Sequence, residues 1–326
     1  MHAIIPVAGK GTRMRPLTWS VPKVLIRFAG NTVLGHIIDE LTAYGVDHIT
    51  LIVGYLGEEV VKWTKDNYPE IRVDFAVQER MDGLGSAVYL ASPMTDDEHT
   101  LVVLGDTLFS ADLSLACSDE SNMIAVKKVK DPSRFGVVVH EEGVVSKLVE
   151  KPAEFVSDLA IVGIYGFTSG SALMEAISRL IKSGRQTRGE YPLTDAMQLM
   201  LEDGQPFGCF EVEGWYDCGK PETLLTTNRI LLDRGTGKTD VSSENSVIIP
   251  PVSLGDNVRI TSSVVGPYVS VASGSEISGS IVSNTVIGFE SRLENVHLCD
   301  SIIGNEAEIK GSAATISAGS SCKIEI

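Results

Sequence analysis

The segment Ala8–Lys23, AGKGTRMRPLTWSVPK, follows directly on the apolar run HAIIPV, His2 to Val7. A short apolar run closed by a glycine-containing turn predicts a buried strand of a parallel sheet. The chain must then leave the sheet at that strand's carboxyl end. Gly9 and Gly11 let the backbone approach an anion, with N–H groups pointing at phosphate oxygens. Arg13, Arg15 and Lys23 add positive charge in the same span, and arginine grips phosphate in a bidentate way. Donors at this density suit a nucleoside triphosphate. Taken alone, G-x-G reads equally well as an ordinary turn with solvated basic residues.

Two better-known phosphate loops do not fit. A Walker A loop needs four residues between its first glycine and a Gly-Lys-Ser/Thr ending, and here Gly9-Lys10 runs straight into Gly11. The dinucleotide fingerprint needs glycine where Met14 stands, and no acidic residue closes the next strand, LIVGY.

Residues 1–130 alternate strand and helix patterns, which predicts a doubly wound, mostly parallel, Rossmann-like sheet. Val33, Leu34, Ile37, Ile38 and Leu41 share a helical face that stops at Gly45. Strands are expected at HITLIVG, VDFAV and TLVVLGD, with helices at GEEVVKWTKDNY and near Gly85–Ala91. Gly9, Gln78 and Asp106 each fall just past a strand end, where such sheets hold ligands. MIAVKKV, FGVVVH, VVSKLVEKP and AIVGIYGF continue the sheet. Helices are expected at 171–183 and 193–203, and PETLLTTNRILLD opens with Pro221 at the position that best tolerates it. Three segments are expected: the doubly wound one over residues 1–233, a polar linker over 234–240, and a separate domain over 241–326.

From residue 241 the composition changes. Serine accounts for 18 of the last 86 residues, against 14 of the first 240. SVVG at 263, SIVS at 280, TVIG at 285 and SIIG at 301 recur at spacings of 17 and 16 residues. That is close to one coil of about 18 residues made from three hexapeptides, so the segment reads as a left-handed parallel β-helix, with a sandwich of short strands as the alternative.

The sequence resembles the sugar-1-phosphate nucleotidylyltransferases, among them glucose-1-phosphate thymidylyl- and uridylyltransferases and mannose-1-phosphate guanylyltransferases. The resemblance rests on G-x-G-T-R-x-x-P-L-T followed by Pro22-Lys23, then Gln78…GLGSA, LGDTLF, RFGVV, EKP, VGIYGF, GEYPLTDA and WYDCGKPE, in the family's order over about residues 1–233. It implies a nucleotide-diphospho-sugar transferase fold and attack of a sugar-1-phosphate oxygen on the α-phosphorus of an NTP. The nucleophile is already an anion, so catalysis should rest on positioning and charge neutralisation without a general base.

Asp106 ends an apolar strand, and Asp217 sits between Trp215-Tyr216 and Gly219; both settings suit a hard cation and equally an aspartate capping a turn. By resemblance they are the two Mg²⁺ ligands. Resemblance further implies that Arg13 braces the leaving pyrophosphate and Lys23 the phosphates at the reacting centre. Ala8, Gly9, Gly11 and Thr12 would hold nucleotide, with Gln78 and Gly83 at the base. Glu150 would take sugar hydroxyls and Lys151 the sugar phosphate, with Gly136, Gly163 and Glu190 around the sugar. GLGSA stands where many thymidylyl enzymes have GLAQA, so dTTP, UTP and, with mannose-1-phosphate, GTP stay open; glucose-1-phosphate is the favoured acceptor. A non-catalytic nucleotide-sugar sensor is the rival of another class, and the intact Arg13, Lys23, Asp106, Lys151 and Asp217 speak against it. Acyl transfer in the β-helix would need a positioned base, and that segment holds only His297.

Composition narrows the partners. Net charge is −16, of which residues 241–326 carry −5 and the first 240 the remaining −11. So acidic a surface argues against nucleic acid or anionic membrane, and no apolar run approaches the ~20 residues of a membrane span. Met1-His2 leads into the first strand without a charged signal region. The five cysteines lack C-x-x-C spacing and the six histidines show no metal-ligand clustering, which predicts free thiols, no zinc site and a cytoplasmic location. The β-helix is expected to serve support and assembly into a homo-oligomer.

Overall fold

The first strand, β1 (His2–Pro6), pairs in parallel with β2 (His48–Val53) on one side and β4 (Thr100–Val103) on the other, and β3 (Arg72–Val77) extends the sheet beyond β2. β5 (Thr107–Ser110) follows β4, and then come β6 (Asn122–Lys128), β7 (Gly136–Glu141), β8 (Val144–Glu150), β9 (Leu159–Phe167), β10 (Phe207–Glu211) and β11 (Gly214–Asp217). The main sheet has nine strands in the order β3-β2-β1-β4-β9-β6-β10-β8-β7, while β5 and β11 form a small sheet of their own. Only β8 and β9 run against the other strands of the main sheet. The order reverses between β1 and β4, the place where doubly wound sheets open a crevice beyond their strand ends.

The computed structural model describes residues 1–117, 120–235, 242–311 and 316–325. By compactness the chain divides into two units, Met1–Gly9 with Ile37–Trp215, and Lys10–His36 with Tyr216–Ile326.

The first unit contains the large sheet. The first two helices along the chain are α1 (Val33–Ala43) and α2 (Gly57–Asn67). Ile4, Ile52, Val102, Ile124 and Phe167 pack on one face against α3 (Leu84–Tyr89), α4 (Gly170–Ser183) and α5 (Leu193–Glu202). The alternate residues Ala3, Ile5, Ile49 and Leu51 point to the other face and are as fully buried, which explains why these strands read as continuous apolar runs. In α4, Leu173, Ile177 and Leu180 recur at helical spacing and are buried, each contributing roughly 1.5–3 kcal/mol. Ser169 Oγ caps its first turn by accepting from Ala172 N at 3.1 Å, and Gly184 ends it in the left-handed conformation.

The second unit is built on a left-handed parallel β-helix of three sheets, with six, five and four short strands among the described residues. Ile260, Ile277, Leu293 and Ile309 stack in register inside it, one coil above the next. The serine enrichment has a structural cause. Ser263 Oγ accepts from Ser280 N at 3.0 Å and Ser280 Oγ from Val296 N at 3.1 Å; at another corner Ser275 Oγ takes Ser291 N and Ser291 Oγ takes Ala307 N. A small hydroxyl at a buried corner thus satisfies the backbone donor of the next coil.

The same unit contains α6 (Pro221–Asp233) and the segment Lys10–His36. Asn228 of α6 and Ser270 of the β-helix share a hydrogen bond at 2.6 Å, and Ala29 N donates to both, at 3.2 and 2.9 Å. Arg229 donates to Asn284 at 2.6 Å and lies over the Tyr268 ring. The expected linker, 234–240, lies outside the described residues except for Arg234 and Gly235, which close α6.

Candidate active site

In the first unit the structure gathers Ala8, Gly9, Gln78 and Asp106 at the carboxyl ends of β1, β3 and β4. Close packing fixes these ends. Val7 N donates to Ile52 O and Gln78 N to Val53 O, both at 2.8 Å. A Cβ on Gly54 would sit 2.8 Å from that of Ala8, and one on Gly105 would sit 2.4 Å from Val7 Cγ1. Asp106 is half-buried and accepts from Thr107 Oγ1 at 3.4 Å. Gln78, nearly fully buried, stands at the first position after β3.

A second cluster in this unit surrounds the end of β8. Glu150 Oε2 accepts from Thr194 Oγ1 at 2.7 Å, and the Lys151 ammonium lies 3.3 Å from Glu150 Oε1 and 3.7 Å from Glu190 Oε2. Lys151 has φ +43°, a left-handed conformation that costs a side-chain-bearing residue about 1–3 kcal/mol and tends to mark functional sites. Two backbone bonds hold it there: Lys151 N to Phe135 O at 3.0 Å, and Arg188 Nη2 to Lys151 O at 3.1 Å. Gly136 clears the floor, since a Cβ would come 2.7 Å from Thr194 Oγ1 and 3.1 Å from Glu150 Oε2. Gly163, at φ +100°, lies where the β9–β6 register shifts, and its carbonyl accepts from Leu104 N at 2.9 Å. This bulge ties Gly163 to Leu104, in the turn that leads from β4 to Asp106. Gly83 faces the Tyr191 backbone, where a Cβ would lie 2.5 Å from the carbonyl oxygen. Burial, together with the Glu150 charge, pushes the Tyr165 hydroxyl above its ordinary range.

The remaining candidates, Gly11, Thr12, Arg13, Lys23 and Asp217, belong to the second unit. Gly11 must be glycine: its φ is +59°, and a Cβ would meet Lys23 Cβ at 2.9 Å and Thr18 Cγ2 at 3.0 Å. Gly9 faces open space, so packing does not demand it. Thr18 Oγ1 donates to Gly11 O at 2.8 Å and braces the turn. Thr12 and Arg13 are exposed, whereas Lys23 is largely buried. Asp217 Oδ1 accepts from Gly219 N at 2.7 Å, the turn-capping bond expected of an aspartate two residues before glycine. A Cβ on Gly219 would lie 2.6 Å from Asp217 Oδ1 and 3.0 Å from Arg13 Nη2, so glycine keeps that space clear. Hard carboxylate oxygens at Asp106 and Asp217 are the donor type Mg²⁺ takes.

Sequence reasoning did not single out Thr194 and Arg188. Thr194 lies within GEYPLTDA and could have been found there; Arg188 carries no signal, since its contact is to a backbone carbonyl. One expectation is corrected. The histidines do cluster: His2 and His48 stack with ring centroids 4.1 Å apart, and Glu98 completes a group of possible metal ligands. Residues 46 positions apart in sequence meet because β1 and β2 pair with His2 opposite His48, and linear spacing does not report that register.

The sequence model of the nucleotidyl transferase family matches residues 2–234. The chain belongs to that family. It is 33% identical to the low-salt glycan biosynthesis nucleotidyltransferase Agl11 of Haloferax volcanii, over 96% of this chain and 94% of the relative. It is 32% identical to a glucose-1-phosphate thymidylyltransferase of Streptomyces antibioticus, over 95% and 89%. A bifunctional protein GlmU of Methanocaldococcus jannaschii is 39% identical over 76% of this chain and 59% of its own length. Among solved structures, UDP-glucose pyrophosphorylase complexed with UDP-glucose superposes with a TM-score of 0.60 at 22% identity, over 72% of this chain and 98% of that one, and so shares the fold. The protein is an enzyme of the sugar-1-phosphate nucleotidyltransferase class.

Proposed function

We propose that this enzyme joins the nucleotidyl group of dTTP or UTP to glucose-1-phosphate, releasing pyrophosphate. An oxygen of the sugar phosphate bonds to the α-phosphorus, and the bond from that phosphorus to the pyrophosphate oxygen breaks. The observation that carries the reading is the Glu150–Lys151–Glu190 cluster, a strained lysine between two carboxylates above a glycine floor. The ammonium suits a phosphate, and carboxylates suit neighbouring hydroxyls. Similarity to the Streptomyces thymidylyltransferase over nearly the whole chain supports the same substrates.

Lys151 would hold the sugar phosphate, and Glu150, oriented by Thr194, would accept from sugar hydroxyls, with Gly136, Gly163 and Glu190 bordering the ring. Ala8, Gly9, Gly11 and Thr12 would approach the triphosphate, Arg13 would stabilise the leaving pyrophosphate, and Lys23 the reacting phosphates. Gln78 and Gly83 would meet the base. Asp106 and Asp217 would hold Mg²⁺, which supplies positive charge at the α-phosphate when bound. We further assign residues 1–233 to catalysis, 234–240 to a linker and 241–326 to support and assembly. None of the five cysteines is held in a disulfide, which suits a reducing cytoplasm. No helix among the described residues is long and apolar enough to cross a membrane. Purified protein assayed for pyrophosphate release against a matrix of NTPs and sugar-1-phosphates tests the assignment. The highest kcat/KM should fall on dTTP or UTP with glucose-1-phosphate, and a maximum on GTP with mannose-1-phosphate would replace it.

A further inference from the structure

The amino ends of β1 and β2 carry a cluster that the transfer reaction does not use. His2 opens β1 and His48 opens β2, directly opposite each other in the parallel register, and Glu98 stands just before β4. One ring nitrogen of each histidine and a Glu98 carboxylate oxygen all lie within 4.8 Å of one another. We propose that His2, His48 and Glu98 form a structural site for a divalent transition-metal ion such as Zn²⁺.

Each imidazole already has a partner on its far nitrogen. His2 Nε2 is 2.8 Å from Thr50 Oγ1, and His48 Nε2 is 2.8 Å from Asp74 Oδ2. Metal-bound histidines typically use one nitrogen in this way, which fixes the tautomer and turns the lone pair of the other toward the ion. Here that other atom is Nδ1 in both rings. His48 Nδ1 lies 4.0 Å from Glu98 Oε1. His2 Nδ1 is buried with no hydrogen-bond partner, on a side chain with 0% exposure. An unsatisfied buried polar atom is destabilising, and coordination would satisfy it.

Local charge also favours a cation. Asp47, Asp74 and Glu98 meet at this edge. The positive groups facing them are the Met1 ammonium, 2.7 Å from Asp47 and 3.7 Å from Glu98, and Arg72, 3.3 Å from Asp74. Glu98 is 41% exposed and gives an ion access from solvent. The rings are now stacked, 11° from parallel. Binding therefore requires them to turn until both Nδ1 atoms reach the ~2.0–2.1 Å of a zinc–nitrogen bond. Two imidazoles and one carboxylate leave a fourth position for water, and imidazole selects zinc-like ions over Mg²⁺. The site lies at the strand ends opposite to Ala8 and Asp106, so an ion there would clamp β1, β2 and the start of β4 without entering the chemistry.

The test uses full-length protein, stripped with chelator, dialysed against Zn²⁺ and assayed for bound metal, beside His48→Gln and Glu98→Gln. Wild type should hold one more equivalent of Zn²⁺ than either variant. Co²⁺ should give the intense visible absorption of a tetrahedral site in wild type alone, and Mg²⁺-supported transferase activity should match in all three. If His48→Gln fails to fold, Glu98→Gln at the exposed end decides. Equal Zn²⁺ content in wild type and the folded variants, or none in wild type, overturns the site.

Discussion

At the scale of single residues, the proposed chemistry divides between carboxylates for charge and a lysine for position. Asp106→Asn and Asp217→Asn keep size and remove one negative charge each, so the fold should survive while kcat falls about two orders of magnitude or more. Pyrophosphate release at saturating Mg²⁺ checks this, and near-normal rates in both variants would remove the metal assignment. Lys151→Ala should act on the other substrate. Without the ammonium, Glu150 and Glu190 face the sugar phosphate uncompensated, and KM for sugar-1-phosphate should rise about tenfold or more, worth ~1.4 kcal/mol or above. NTP binding in a calorimetric titration should stay close to wild type; its loss would contradict the division. The candidate residues were legible in the sequence because they sit in short motifs with recognisable chemistry. The left-handed backbone of Lys151 was not legible, because it depends on Phe135 and Arg188, neighbours that folding alone brings to it. The motif treated Gly9 and Gly11 alike, as glycines that let backbone approach an anion; folding separates them, since Gly11 takes a positive φ against Lys23 and Thr18 while Gly9 is free of steric demand.

At the scale of elements, periodicity told most of the story. The expected helix over 221–233 coincides with α6, and that over 171–183 differs from α4 by one residue. What spacing could not convey was register. The pairing of β1 with β2 buries His2 against His48, and this has an acid-stability consequence. Burial, reinforced by the neighbouring His48 ring, lowers the His2 pKa from 6.5 to about 4. The unfolded chain takes up a proton below about pH 6.5 and the folded one does not until about pH 4. His2 thus leaves stability intact at neutral pH and withdraws it as pH falls from 6.5 toward 4. At pH 5 the loss should be about 2 kcal/mol at most, at ~1.36 kcal/mol per pH unit. Urea midpoints of chelator-treated wild type and His2→Gln, compared at pH 7 and pH 5, isolate the effect. Parallel losses in the two proteins would show that other groups carry it.

For the whole molecule, the question is what the β-helix does for a chain whose family match ends at residue 234. Its repeat was readable from the aliphatic pairs and serines, but its association with the segment Lys10–His36 was not, since those contacts span more than two hundred residues. Ala29 N bonds Ser270 Oγ, Arg27 lies over the Phe289 ring at 5.8 Å, and Phe28 and Gly30 line a small cavity with Ser253, Leu254 and Val271. The segment with Gly11, Arg13 and Lys23 therefore rests on the β-helix within one compact unit. This bears on a chain ended at Asp240. Loss of an assembly surface alone would change its oligomeric state and leave turnover intact. Loss of support beneath the proposed triphosphate segment should also raise KM for NTP and lower kcat/KM. Asn228→Ala is the milder version. It leaves the Ser270 hydroxyl and the Ala29 amide with one acceptor fewer, at a cost of about 1–3 kcal/mol in stability. It should shift KM for NTP in the same direction while the β-helix stays folded. Sedimentation of the full and shortened chains, with NTP and sugar-1-phosphate kinetics on all three proteins, separates the two roles. Unchanged NTP kinetics in both altered proteins would reduce the β-helix to assembly alone, and an unchanged oligomer in the shortened chain would move the interface to residues 1–240.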